Sequence, residues 1–261
     1  MTVAGGQRSS PPVRASEAAR AAARPAGGAK ARSDDASFSP ASGCDWIGDG
    51  AEHHSAAATP LLPVLDAIAA AQPQHRAGTR LHGLPELAAL LATGPIHAVA
   101  ARHIGPAARP VRAILFDKTA AANWSLGWHQ DRTIAVRGRH DVPGYGPWTV
   151  KQAILHVAPP FAVIAGMATL RIHLDDVPAD NAPLLIAPGS HRLGVVPERE
   201  IDAAVARHGT CACLAQRGDV WAYATPILHA SPASTGVYRR RVLQVDYAAR
   251  PLDAPLQWLG L

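Results

Sequence analysis

The chain has 261 residues and a formal net charge of +5, with 48% hydrophobic but only 5% aromatic residues. That length holds one sizeable domain plus an appendage, or at most two domains. The positive charge is scattered Arg, with no Lys/Arg block and no aromatic–basic interleave, which argues against a nucleic-acid partner; no apolar run approaches the ~18 residues of a membrane span.

The 22 Gly and 23 Pro together exceed the usual level of about 12% and favour a turn-rich, β-rich body over a helix bundle. The three cysteines, Cys44, Cys211 and Cys213, make no CxxC pair and no even framework, so a reducing, cytoplasmic setting is expected. Excess Arg suits an anionic small-molecule substrate. Nothing in the sequence sets the oligomeric state.

Residues 1–58 are rich in Ala, Ser, Pro and Gly, with Arg and Lys first and Asp and Glu after. Such a segment buries little and is expected to be a disordered tail. Its Arg- and Ser-rich start also has the look of an organelle transit peptide, and it lacks the apolar stretch of a secretory signal.

From Thr59 the pattern changes. Thr59-Pro60 reads as a helix N-cap followed by Pro, and Leu61, Leu62, Leu65, Ile68 and Ala69 form a helical stripe. Two more helices are expected, from Pro85 to Leu91 and from Ile96 to His103. Strands follow over Val111 to Phe116 and Leu126 to Asp131. Arg132 to Trp148 is a long, mostly polar connection, too long for a hairpin turn, and is the choice for a substrate lid with Tyr145 and Trp148 as contacts. Met167 to Asp175 alternates, with Ala168, Leu170, Ile172 and Leu174 on one face and Thr169, Arg171 and His173 on the other. Further short strands are expected at Leu184 to Ala187, Thr210 to Leu214, Asp219 to Tyr223 and Tyr238 to Tyr247, with a helix over Glu198 to Arg207. Many short strands with closely spaced turn signals argue a jelly roll.

Trp128-His129-Gln130-Asp131 places an imidazole and a carboxylate two residues apart, on one face of a strand if the strand runs through them. His229, within Pro226-Ile227-Leu228-His229-Ala230-Ser231, is the best distant supplier of a third ligand. Two His and one carboxylate make the facial triad of non-haem Fe(II) oxygenases. The competing readings are a surface turn for His129 and Asp131 and a packed core histidine for His229. Arg239-Arg240-Arg241 opens the last apolar strand; by alternation at least one points inward, and a buried Arg needs an anion.

These stretches, with Leu174-Asp175-Asp176, Asn181-Ala182-Pro183-Leu184 and Pro188-Gly189-Ser190-His191-Arg192, resemble the phytanoyl-CoA dioxygenase family, a branch of the Fe(II)- and 2-oxoglutarate-dependent oxygenases. The resemblance runs from about Val111 to Tyr247. It implies iron held by His129, Asp131 and His229, and the distal carboxylate of 2-oxoglutarate held by Arg240 with Ser231 assisting. Arg239 or Arg241 take that role if the strand register differs by one. It also implies O2 as co-substrate, with release of succinate and CO2. Asp131 favours hydroxylation over halogenation, because related halogenases carry a small residue there. The family usually has Gly where this chain has Ala182.

Lys118, Asn123 and Trp124 are weaker candidates for the 1-carboxylate of 2-oxoglutarate or for substrate, with strand capping and rim packing as the competing roles. Arg171 and Thr169 are candidates for substrate, with a salt bridge from Arg171 to Asp117 or Asp219 as the alternative. The expected architecture is therefore mainly β, a double-stranded β-helix (jelly roll, cupin-like) over about 110–248, with flanking N-terminal helices, within a dioxygenase domain over 59–261. The expected activity is Fe(II)/2-oxoglutarate-dependent hydroxylation of a small molecule. The alternatives are a non-catalytic jelly-roll ligand-binding protein and a cupin-type metalloenzyme that does not use 2-oxoglutarate.

Overall fold

A computed structural model describes residues 39–40, 43–73, 76, 78–236 and 239–261. Two largely antiparallel sheets carry the site. The six-stranded sheet has the order β2 (Ala51–His54), β12 (Val220–Ala224), β9 (Met167–His173), β14 (Arg240–Ala248), β4 (Arg109–Lys118) and β3 (Thr79–Leu81). The five-stranded sheet runs β1 (Ser39–Pro40), β11 (Cys211–Cys213), β10 (Leu184–Ile186), β13 (His229–Ser231) and β5 (Leu126–His129). Between them pack Ala51, Trp221 and Tyr223 from the first sheet and Leu184, Ile186, Cys211 and Cys213 from the second. This is the expected jelly roll.

Helices α1 (Leu62–Ala70), α2 (Pro85–Ala92) and α3 (Gly94–Ile104) cover the outer face of the six-stranded sheet. Their buried residues Leu65, Leu87, Leu91 and Ile96 meet Leu170, Ile172, Leu243, Val245 and Tyr247. Strand alternation then dictates the inner face. Opposite these apolar residues, β4 points Arg112, Ile114, Phe116 and Lys118 inward; β9 points Thr169, Arg171 and His173; β14 points Arg240, Gln244 and Asp246. The strands pair so that Arg240 lies beside Lys118, Gln244 between Ile114 and Arg171, and Asp246 between Arg112 and Thr169. A largely polar interior is the consequence of three strands whose apolar residues mostly face the helices, with Ile114 and Phe116 as apolar exceptions on the inner face.

Among the described residues no single helix is long and apolar enough to cross a membrane. The α2–α3 pair passes the same test jointly, but it is bent by 55° and its apolar residues are spent on the sheet.

Several boundaries differ from the sequence reading. Residues 43–58, expected in the tail, contain β2, which pairs with β12 from Ala51↔Tyr223 to His54↔Val220. The folded region therefore starts before Thr59; the disorder expected for the preceding residues falls outside the described ones, apart from the short strand β1. Thr59 does not cap α1: it lies inside a 3-10 turn, Thr59–Leu61, and neither that turn nor α1 has a side-chain cap.

The expected lid is also corrected. The stretch from Arg132 contains β6 (Ile134–Ala135) and runs into β7 (Trp148–Lys151), and both pair with β8 (Ile154–Val157). Tyr145 is buried and donates to Asp253 Oδ2 at 3.2 Å. Together with Trp148 it packs a satellite core against Val111, Ile164, Leu252, Leu256 and Trp258. Neither residue lines the central cavity. The segment is held by C-terminal apolar residues instead of standing free over the site.

Candidate iron and 2-oxoglutarate site

The cavity between the sheets has a volume of about 650 Å³ and is lined by His129, Asp131, His229, Ser231, Arg240, Lys118 and Arg171, among others. His229 on β13 pairs directly with His129 on β5, and their ring centroids are 4.3 Å apart. The strand ends at His129, so Asp131 reaches the site through the turn that follows and not by strand alternation. Gln130 fixes that turn. Its amide donates to Pro226 O (2.8 Å) and Gly194 O (3.0 Å), and its oxygen accepts from Val196 N (2.9 Å). One buried side chain thus ties the first two candidate ligands to the segment that delivers the third. Ser190 adds to this by accepting from Leu228 N at 2.9 Å.

Potential ligand atoms of His129, Asp131 and His229 lie within 4.8 Å of one another. His129 Nδ1 is 2.8 Å from Gly127 O, and His229 Nδ1 is 2.9 Å from Ile227 O. A carbonyl only accepts, so each Nδ1 carries the proton and each Nε2 keeps its lone pair for a metal. Burial, then the neighbouring His129, push His229 down to about 4, so its ring is neutral. Burial alone would push the Asp131 carboxyl up; the Arg112 guanidinium outweighs it and holds it below the usual carboxylate range. Two imidazoles with their Nε2 atoms free of the backbone carbonyls and a carboxylate are the donor set of a facial triad, and the residues present fit Fe(II).

Arg112, not identified from the sequence, orients that carboxylate. Its Nη2 is 3.3 Å from Asp131 Oδ2, and its Nε donates to Asp246. Asp246 also accepts from Thr169 Oγ1 at 3.1 Å. Thr169, expected to face substrate, is instead part of this support and is fully buried. Removing one partner of a buried ion pair leaves an uncompensated charge, at about 3–5 kcal/mol. Asp246→Ala should cost about 3 kcal/mol, the lower end, because Arg112 keeps Asp131. Urea denaturation of the variant measures it, and Asp246→Asn should lose less.

At the other end of the cavity the Arg triplet resolves. Arg239 pairs with Asp117 at 2.6 Å, and Arg241 pairs with Asp175 at 2.6 Å and Asp66 at 2.9 Å, all on the outer side. Arg240 points inward, is 2% exposed, and donates to the Ala182 carbonyl, while its Nε has no partner among the described residues. Ala182 has φ +52°, a left-handed conformation that costs an L residue about 1–2 kcal/mol and costs Gly none. The usual Gly of the motif is thereby explained, and Ala182 tolerates the same turn. Burial, then Arg171, push Arg240 down to about 9. The residues present fit a bound dianion here, since an inward guanidinium with an orphan N–H has no carboxylate of its own.

Lys118 Nζ donates to Ser231 Oγ at 3.1 Å and lies over the Trp124 ring at 5.0 Å. Burial, followed by Arg240 and Arg171, pushes Lys118 down to about 7. Arg171 donates to Gln244 Oε1 at 3.2 Å and stacks on Phe116, so the expected alternative of a salt bridge to Asp117 or Asp219 is not made. Asn123 does not line the cavity. It exchanges two 2.8 Å hydrogen bonds with the Ser234 backbone and locks two loops together. Arg76, Arg80, Lys151 and Gln152 complete the cavity wall. They come from two segments that the sequence reading left outside the site.

No curated protein sequence matches the chain. Among solved structures, EctD from S. alaskensis in its apo form is 19% identical, with a TM-score of 0.59, over 83% of this chain and 78% of its own. SnoN, a non-heme alpha-ketoglutarate-dependent epimerase from nogalamycin biosynthesis, is 16% identical (TM-score 0.53, 83% and 84%). HygX from Streptomyces hygroscopicus, with nickel and 2-oxoglutarate bound, is 14% identical (TM-score 0.54, 80% and 89%). These likenesses are of fold. The phytanoyl-CoA dioxygenase (PhyH) family model matches residues 36–242, well over half of the sequence. The chain therefore belongs to the phytanoyl-CoA dioxygenase family and to the class of oxygenases that use Fe(II), 2-oxoglutarate and O2.

Proposed function

We propose that this protein hydroxylates a C–H bond of a small anionic molecule, with conversion of 2-oxoglutarate and O2 to succinate and CO2. The observation that carries the reading is the placement, in one cavity, of a His129–Asp131–His229 donor set and an inward Arg240 with an orphan N–H. His129, Asp131 and His229 would hold Fe(II). Arg240, assisted by Ser231, would hold the distal carboxylate of 2-oxoglutarate, with Lys118 beside it. Bound together, iron and 2-oxoglutarate activate O2 for attack on a C–H bond. The chain's own residues do the rest. Gly127 O and Ile227 O fix the imidazole tautomers, Arg112 keeps Asp131 ionised and aimed, and Arg240 sets the orientation of the co-substrate. The retained carboxylate at Asp131 supports hydroxylation, since it leaves no room for a halide ligand in its place.

An anionic substrate is supported by the cationic lining of the cavity. Arg76, Arg80, Arg171 and Lys151 line the cavity with Asp131 as the one carboxylate there among the described residues, which also hold no partner for Arg80 Nε. A ligand-binding protein without turnover has no use for both a His–Asp–His donor set and a 2-oxoglutarate clamp, which disfavours the non-catalytic alternative.

The test is a visible charge-transfer band on anaerobic addition of Fe(II) and 2-oxoglutarate, followed by a screen for stimulated succinate release. Carboxylated or phosphorylated candidates should stimulate and their neutral isosteres should not. Absence of the band in folded, metal-loaded protein sinks the cofactor assignment; stimulation by neutral isosteres alone sinks the anionic substrate.

Lys118 gives this site a pH signature. Its folded value near 7 lies below the ordinary lysine value, so it is charged below pH 7 and neutral above. The apparent KM for 2-oxoglutarate should be flat in acid and rise as pH increases through about 7, until the value raised by the bound anion is passed. Lys118→Met should give a higher and pH-independent KM over that range in steady-state kinetics.

A further inference from the structure

A second cluster of ligand-type side chains lies on the helix-covered side of the six-stranded sheet and shares no residue with the first. Glu52 and His54 stand two apart on edge strand β2 and so share a face, and His103 comes from the last turn of α3. We propose that Glu52, His54 and His103 form a second divalent-metal site, suited to Zn2+ with water in the fourth position, that fastens β2 to α3.

The geometry carries the assignment. His54 Nε2 and His103 Nε2 face each other at 3.3 Å, and His103 Nε2 is 3.6 Å from Glu52 Oε2. Two nitrogens each about 2.0–2.1 Å from a tetrahedral zinc stand about 3.3 Å apart. All three potential ligand atoms lie within 4.8 Å of one another. Glu52 is already oriented, because Arg102 Nη2 holds its Oε1 at 3.1 Å and leaves Oε2 towards the imidazoles. The His103 ring plane is fixed by Trp46, stacked at 3.9 Å with 19° between planes.

The protonation states suit metal binding. Burial is the largest influence on both rings and lowers both, His103 to about 4. Both are therefore neutral at pH 7, the form that ligates. Without a metal, the facing nitrogens make a single imidazole–imidazole hydrogen bond beside the carboxylate. Arg102 is the opposing charge, but its side chain is mostly exposed and its field is screened.

A metal here would have a structural consequence. β2 is an edge strand whose one sheet neighbour among the described residues is β12, and Trp46 and Cys44 precede it in the chain. A ligand from α3 would tie this N-terminal segment to the body independently of catalysis.

The experiment uses the untagged full chain. After Zn2+ loading and gel filtration, the wild type should retain two equivalents by elemental analysis. Asp131→Ala/His229→Ala should retain one. Adding His54→Gln or His103→Gln to that background should leave none. Co2+ added to the Asp131→Ala/His229→Ala protein should quench tryptophan emission, and Trp46→Phe should remove most of the quenching. If the Asp131→Ala/His229→Ala protein retains no stoichiometric Zn2+, or if His54→Gln retains as much as its parent, the site does not exist. Should His103→Gln fail to fold, His54→Gln on the half-exposed edge strand decides alone.

Discussion

Asp131→Ala should lower succinate release by more than about 100-fold while the protein stays folded. Loss of partners that merely orient metal ligands costs about 10–100-fold, so loss of a ligand itself exceeds that range. Asp131 is also the one carboxylate among the cavity-lining residues, beside Arg112 and Lys151. Without it, a divalent cation would face two imidazoles and no carboxylate in a field of guanidinium groups. His129→Ala and His229→Ala should behave alike, because the donor set has no spare member among the described residues at this site. Iron content by chelator assay and succinate by enzymatic assay check the result together. A variant that binds iron normally and keeps a tenth of the activity would move the metal elsewhere.

The parts of this site that the sequence exposes are those with a local signature. His129 and Asp131 stand two apart, and three consecutive Arg at the mouth of an apolar strand force at least one inward. Arg112 has the same signature, an Arg between Val111 and Ala113 in an apolar strand, yet its partner Asp246 lies 134 residues away, and only pairing of β4 with β14 brings them together. Gln130 was hidden for a similar reason: its three partners belong to Gly194, Val196 and Pro226. The loop holding Tyr145 and Trp148 reads as a polar lid because the residues that bury it, Leu252, Leu256 and Trp258, follow the last strand. β2 escapes notice because four residues, Ala-Glu-His-His, at a sheet edge show no apolar alternation. Asn123, a candidate for 2-oxoglutarate from its place just before the motif, faces a loop instead, where its amide matches one backbone N–H and one C=O of Ser234.

Arg240→Met should raise the KM for 2-oxoglutarate by about 30-fold to a few thousand-fold, with kcat at saturation much less affected. Truncating one partner of a buried charge pair costs about 2–5 kcal/mol, which is that range of affinity. Arg239→Met and Arg241→Met should leave the KM unchanged, because both side chains are committed to outer carboxylates. A one-residue slip of β14 would exchange these outcomes, so the three variants read the strand register directly. Stability should move the opposite way. In the protein without 2-oxoglutarate, Arg240 is a buried cation paired only with a carbonyl and held down to about 9 by burial and Arg171. Replacing it with an apolar side chain of similar length removes that burden, as exchange of buried charges for packed apolar groups often does. Arg240→Met should therefore melt no lower than the wild type alone, yet lose the rise in Tm that 2-oxoglutarate and a metal give the wild type. A structural arginine would show the reverse: a lower Tm without ligand and an undiminished rise with it.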